Sequence, residues 1–258
     1  MSYPPLPNNL ILLCEVGSTA HGTGIAGGED TDETAVVIEE PGQIFSLGSE
    51  LKNYMQRTQP EGTRSKAGDT DRQIYSLRSF LKLAASGNPS IQLAFWAPII
   101  QATPWGRDLR DLSPYIISRE MIPRYRGYMN GQVMRMEGLK GNGHGKRGGG
   151  KREELIAEFG WDRKFGMHAA RLGFQCLELL DTGQLQLPIP GETGEFLRAV
   201  RNGGVPKDEW RIRVQELDDA MASRLDDDKI PMHPDRALIE RFSINAHMSH
   251  WSCGGITL

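Results

Sequence analysis

The stretch LILLCEVGSTAHGTGIAGGEDTDETAVVI, Leu10 to Ile38, decides how the rest of the chain is read. Leu10 to Val16 is an apolar run of strand length, followed by a Gly17-Ser18 turn and a short Gly-rich crossing. A second strand opens with Asp30-Thr31-Asp32 and continues as the apolar run Ala35 to Ile38. Side chains alternate across a strand, so Asp30 and Asp32 should point to the same side, about 7 Å apart along the chain. Two carboxylates held that close repel each other unless a cation sits between them. Hard oxygen ligands on a rigid strand suit Mg²⁺, which binds through a few carboxylates together with substrate phosphates. Gly17 lets the backbone come close to a phosphate, and the Ser18 hydroxyl and nearby N–H groups can bond to it.

A third carboxylate on a neighbouring strand would complete such a site, and Asp69-Thr70-Asp71 offers two candidates that share a face. Beyond them, Leu77, Phe80, Leu81 and Ala84 follow helical spacing, and Gly87-Asn88-Pro89 supplies the stop. Trp161 to Leu180 is the second informative stretch. Phe165, His168, Leu172 and Gln175 set out one helical face, and Lys164, His168 and Arg171 fall at i, i+4 and i+7. Three potentially cationic side chains along one stripe would serve as a clamp on a triphosphate or an acceptor strand.

Between these motifs, Leu51 to Gly68 reads as a surface loop beside the site, with Arg57, Arg64 and Lys66 able to meet phosphates. Ile91 to Ile100, IQLAFWAPII, reads as buried core, and Leu109 to Met136 as helix in pieces, broken near Pro114 and Pro123. Gly138 to Gly150 is too rich in glycine to hold a helix. With Lys140, Lys146, Arg147, Lys151 and Arg152 it makes a basic loop suited to close over a polyanion. Trp210 to Leu225 places Ile212, Val214, Leu217, Ala220, Met221 and Leu225 among many charges, as a surface helix does, and Asp226-Asp227-Asp228 reads as a helix end. His247, His250 and Cys253 have zinc-like residue types but lack a fourth ligand.

Composition narrows the function classes. A net charge of −3 gives no global electrostatic case for nucleic-acid binding, so such a partner would have to meet a local patch. The apolar runs fall far short of the ~20 residues a membrane span needs. The opening MSYPPLPNN lacks the basic and apolar regions of a signal peptide, and Cys14, Cys176 and Cys253 form no CxxC pair. Reduced thiols in a cytoplasmic protein, with no membrane partner, are therefore expected.

Gly-Ser followed about a dozen residues later by Asp-x-Asp on a strand resembles the signature of polymerase-β-like nucleotidyltransferases. Asp71 ahead of YSLRSFL and the Lys164/His168/Arg171 helix are similar to that superfamily's RNA-repair-pathway (RlaP-like) group, a likeness running from about Leu10 to Leu225. The GSTAHG and RTQPEG segments are also similar to nucleotidyltransferase-like proteins of actinobacterial phages, which would place the protein in a host cytoplasm. The chain departs from the group's usual pattern in a longer Gly-Ser to Asp-x-Asp interval and in Ala35 where a Gly is usual. Another register would pair Asp32 with Thr34 and leave one ligand missing. The Asp30/Asp32 register keeps the spacing from Ser18 closer and starts the apolar strand in step.

The resemblance implies an α+β fold, a short mixed sheet with flanking helices over residues 1–110, and a mainly helical part over residues 111–258 that carries the 138–150 loop. It also implies Asp30, Asp32 and Asp71 as metal ligands and catalytic residues, with Asp71 serving as general base or as ligand to the ion that activates the acceptor. Gly17, Ser18, Lys164, His168 and Arg171 become the nucleotide-binding residues, Mg²⁺ or Mn²⁺ the cofactor and a nucleoside triphosphate the substrate. The resemblance does not itself identify the acceptor, which is expected to be RNA of a tRNA-like kind. Two other readings remain at this point: a catalytically silent nucleotide- or RNA-binding module, and a toxin-like transferase that nucleotidylates a protein.

Overall fold

The computed structural model describes residues 5–24, 30–48, 51–60, 62–63, 65–137, 156 and 160–253. Most of the Gly-rich crossing (residues 25–29), Arg64, and the basic loop with Lys140, Lys146, Arg147, Lys151 and Arg152 lie outside the described residues. The chain divides into two compact units, Met1–Ile116 with His233–Leu258, and Ile117–Met232. No helix among the described residues is long and apolar enough to cross a membrane.

The first unit is built on five strands: β1 (Leu10–Val16), β2 (Thr31–Val37), β3 (Asn53–Arg57), β4 (Thr70–Ser76) and β5 (Ile99–Ala102). They form one mixed sheet in the order β3-β4-β2-β1-β5, antiparallel throughout except for the parallel pair β2–β4. Burial follows that order. Leu10 to Cys14 of β1 and Thr34 to Val37 of β2 are covered on both faces, as inner strands require, whereas β3 and β5 at the edges are largely exposed. Leu10, Leu13, Ala35, Val37 and Ile74 pack together as a core cluster.

The segment of this unit up to Ile116 carries α1 (Gly17–His21), α2 (Pro41–Phe45), α3 (Leu77–Ala85), α4 (Pro89–Gln92), α5 (Pro104–Arg110) and α6 (Ser113–Ile116). Helix α3 buries the expected Leu77, Phe80, Leu81 and Ala84, and the Ser76 hydroxyl at its N-cap accepts from Ser79 N. The stop also holds. Asn88 caps α4, where Pro89 occupies the first turn and needs no N–H partner.

The second unit is helical. It holds α7 (Met121–Met136), α8 (Arg163–Thr182), α9 (Gly191–Asn202) and α10 (Lys207–Ser223), and α8 packs against the other three. Asp162 caps α8 by accepting from Lys164 N and Phe165 N at 3.0 and 3.2 Å. A Cβ on Gly173 would stand 2.9 Å from Leu217 Cβ, so its absence sets how closely α8 approaches α10. Arg126 of α7 grips Asp218 of α10 through two hydrogen bonds of 2.8 and 2.7 Å. The chain then returns to the first unit with α11 (Arg236–Cys253).

Several local expectations are corrected. Gly17-Ser18 opens the single-turn helix α1 rather than a bare turn, closed by Gly22 in the left-handed region. Within the segment expected to be loop, Asn53–Arg57 pairs with β4 as an edge strand; its exposed residues carry no apolar alternation to announce it. Ile99 and Ile100 are half exposed on β5, although Ile91 to Phe95 are core. Pro123 does not break α7, because it sits in the first turn where a missing N–H leaves no bond unmade. Ile212 faces solvent, while Trp210, Val214, Leu217 and Met221 form the buried stripe of α10.

Candidate active site

Parallel pairing of β2 with β4 places Asp32 beside Asp71 in register, and the chain entering β2 brings Asp30 to the same side. Asp30, Asp32 and Asp71 each offer one carboxylate oxygen, and these oxygens all lie within 4.8 Å of one another. All three residues are partly buried. Three anionic oxygens at this separation repel, and the hard donor set matches what Mg²⁺ or Mn²⁺ selects. The acid set therefore fits a divalent cation. Thr34, the residue of the alternative register, is buried in β2 and paired with Cys14 of β1.

Gly17 sits directly over Asp32. Its φ is +80°, and a Cβ built there would stand 2.9 Å from Asp32 Cβ and overlap the carboxylate. Only a glycine lets the start of α1 come this close to the acid while holding a left-handed backbone. Ser18 follows as the second residue of α1.

Both oxygens of Asp71 are engaged from the connection between β3 and β4. Gln59 Nε2 donates to Oδ1 at 2.7 Å, Ser65 Oγ donates to Oδ2 at 2.8 Å, and Gln59 Nε2 also donates to Ser65 Oγ at 2.6 Å. Arg57 Nε, one of the cations able to meet phosphates, lies 3.5 Å from Oδ1. Asp69, the alternative third acid, holds the loop: Lys66 N donates to its Oδ2 at 2.8 Å and Thr58 Oγ1 donates to its Oδ1 at 3.4 Å. Sequence reasoning missed Gln59 and Ser65. Neutral polar residues in a loop give no signal until the fold brings them to a carboxylate.

The opposite face of the same strand pair carries a buried ion pair. Arg72 Nε donates to Glu33 Oε2 at 2.7 Å, with side-chain exposures of 3% and 11%. Glu33 and Arg72 are partners in the strand register immediately after Asp32 and Asp71, so this bridge ties the two strands behind the acids.

Lys164, His168 and Arg171 belong to α8 in the second unit. Lys164 is exposed, and His168 and Arg171 are partly covered. Burial first, then Arg171, Lys164 and Arg201, hold the His168 imidazole well below its usual value, so it stands neutral at pH 7 rather than cationic. Burial pulls the Arg171 guanidinium down to about 10, against a small opposing effect of Tyr125. Arg171 also donates to Gln175 Oε1 at 3.2 Å. Arg201 of α9 was absent from the sequence reading, because its place beside the stripe depends on helix packing.

A search of curated proteins finds no match. Among solved structures, the chain is similar to a nucleotidyltransferase-like protein from Exiguobacterium sibiricum 255-15, at 10% identity and a TM-score of 0.30, over 84% of this chain and 70% of that one. A family model described as the RNA repair pathway DNA polymerase beta family matches residues 6–227, and the chain belongs to that family.

Proposed function

We propose that the protein moves a nucleoside monophosphate from a nucleoside triphosphate to an acceptor hydroxyl, and that the acceptor is RNA of a tRNA-like kind. The observation that carries this reading is the convergence of Asp30, Asp32 and Asp71 from two parallel neighbouring strands. The family's description, which names an RNA repair pathway, supports RNA as the acceptor class.

Asp30, Asp32 and Asp71 would hold the divalent ions, Mg²⁺ or Mn²⁺, which neutralise triphosphate charge and favour the ionised acceptor hydroxyl. Asp71 receives the proton of the acceptor hydroxyl as that oxygen attacks the α-phosphorus. The new bond joins this oxygen to phosphorus, the bond to the α–β bridging oxygen breaks, and pyrophosphate leaves. Gly17 and Ser18 present backbone N–H groups and a hydroxyl to the phosphates. Lys164 and Arg171 supply positive charge for phosphate contacts, and His168 contributes a neutral hydrogen-bonding ring.

Incubation with each α-labelled nucleoside triphosphate, Mg²⁺ or Mn²⁺, and total cellular RNA and protein tests the acceptor. Label moving into tRNA-sized RNA is the expected result. Label on protein would replace RNA with a protein acceptor. Metal-dependent nucleotide binding with no label transferred and no pyrophosphate released would make the fold a binding module.

A further inference from the structure

Gln59, Ser65 and Asp71 close a ring of hydrogen bonds: amide to Oδ1 at 2.7 Å, hydroxyl to Oδ2 at 2.8 Å, and amide to hydroxyl at 2.6 Å. The ring is braced at both ends of its loop. Thr70 N donates to Thr58 Oγ1 at 2.9 Å, and Lys66 N and Asp69 N close a turn at 2.8 and 3.0 Å. A carboxylate has roughly four lone-pair directions, so two donors fix its rotation and leave acceptor capacity for a cation. Gln59 and Ser65 are neutral and set orientation without cancelling the charge that attracts the ion. Arg57, 3.5 Å away, brings a full positive charge to the same oxygen Oδ1 and opposes the ion.

We propose that Gln59 and Ser65 are positioning residues for Asp71, holding it at the angle that ligates a divalent ion, while Arg57 is a charge competitor for that ligand. The inference rests on the reading of Asp30, Asp32 and Asp71 as the metal site. It deepens that reading by giving the β3–β4 connection control over how readily the third ligand accepts an ion. A loop that merely stabilised the fold would leave metal affinity untouched, and it would not give variants of opposite sign.

Mn²⁺ binding to the full chain, followed by the loss of the free-ion paramagnetic resonance signal, tests this without any transfer reaction. Thermal unfolding of each variant in the absence of metal reports whether it is folded. The double variant Gln59→Ala/Ser65→Ala should bind Mn²⁺ more weakly by about 10–100-fold, as loss of outer-shell hydrogen bonds commonly does. Ser65→Thr, which keeps the hydroxyl, should bind as the wild type does. Arg57→Gln, at a partly exposed position that leaves the ring intact, should bind more tightly. Wild-type binding with unchanged affinity in a folded double variant would overturn the inference and leave the acid site standing. Weaker binding by Arg57→Gln would overturn the competitor role even if the double variant did not fold. No Mn²⁺ binding by the wild type would remove the metal site itself, and the inference with it.

Discussion

At Gly17 a left-handed backbone meets a carboxylate, and both facts forbid a side chain there. Gly17→Ala would strain the backbone by about 1–2 kcal/mol and push the added methyl into Asp32. The expected outcome is a modest fall in unfolding free energy, measured in urea, together with loss of nucleotidyl transfer. Normal transfer by a folded Gly17→Ala protein would contradict the close approach. Gly17, Asp30 and Asp32 were legible as neighbours, because Gly-Ser and Asp-x-Asp bring backbone and acid together at short sequence range, and Asp71 was marked by the resemblance. Gln59 and Ser65 were not. They are loop residues whose place beside Asp71 depends on how β3 leads into β4, and β3 itself has no apolar rhythm to reveal it.

Among the elements, the β2–β4 pair matters most, because its parallel register puts Asp32 and Asp71 side by side. Glu33 and Arg72 lock that register from the other face. Removing one member of a buried ion pair leaves the other charge uncompensated, which costs about 3–5 kcal/mol. Arg72→Ala should therefore lower stability by this order in denaturant unfolding, and weaken divalent-ion binding by loosening the register behind the acids. Unchanged stability would show that the bridge does not hold the strands together. Sequence patterning identifies β2, since Ala35 to Ile38 is apolar enough to be an inner strand, whereas β4, TDRQIYS, is mostly polar and is marked only by its likeness to the family motif. It does not reveal that they are adjacent and parallel. That adjacency follows from packing, as does the meeting of Arg201 with the α8 stripe.

For the whole molecule, the notable connection is the return of the chain to the first unit through α11, made over a separation of more than two hundred residues. His247 Nε2 meets Glu39 Oε2 at 3.0 Å, Trp251 Nε1 donates to the Glu39 carbonyl at 2.9 Å, and His250 Nε2 lies 3.2 Å from Glu40 Oε1. The histidines that looked zinc-like thus meet acids at the exit of β2. Burial pushes the Glu39 carboxyl up, but hydrogen bonds from His247, its own backbone N–H and Ser76, with the charge of His247, outweigh burial and leave it below the ordinary 4.5. Since the folded value is the lower one, the stabilisation is complete above about pH 4.5 and is lost as pH falls through the folded value. Glu39→Gln should be less stable than wild type at neutral pH by about 1.5–3 kcal/mol, and the gap should narrow as pH falls below the ordinary 4.5. A gap independent of pH would contradict the role of the Glu39 charge.

The most direct measurement is pyrophosphate release from a nucleoside triphosphate with Mg²⁺ and RNA, compared between wild type and Asp32→Asn. Wild type should release pyrophosphate as label enters RNA, and folded Asp32→Asn should fall to background because one of three converging carboxylates no longer carries charge. Normal turnover by Asp32→Asn would contradict the assignment of these acids as the catalytic metal site.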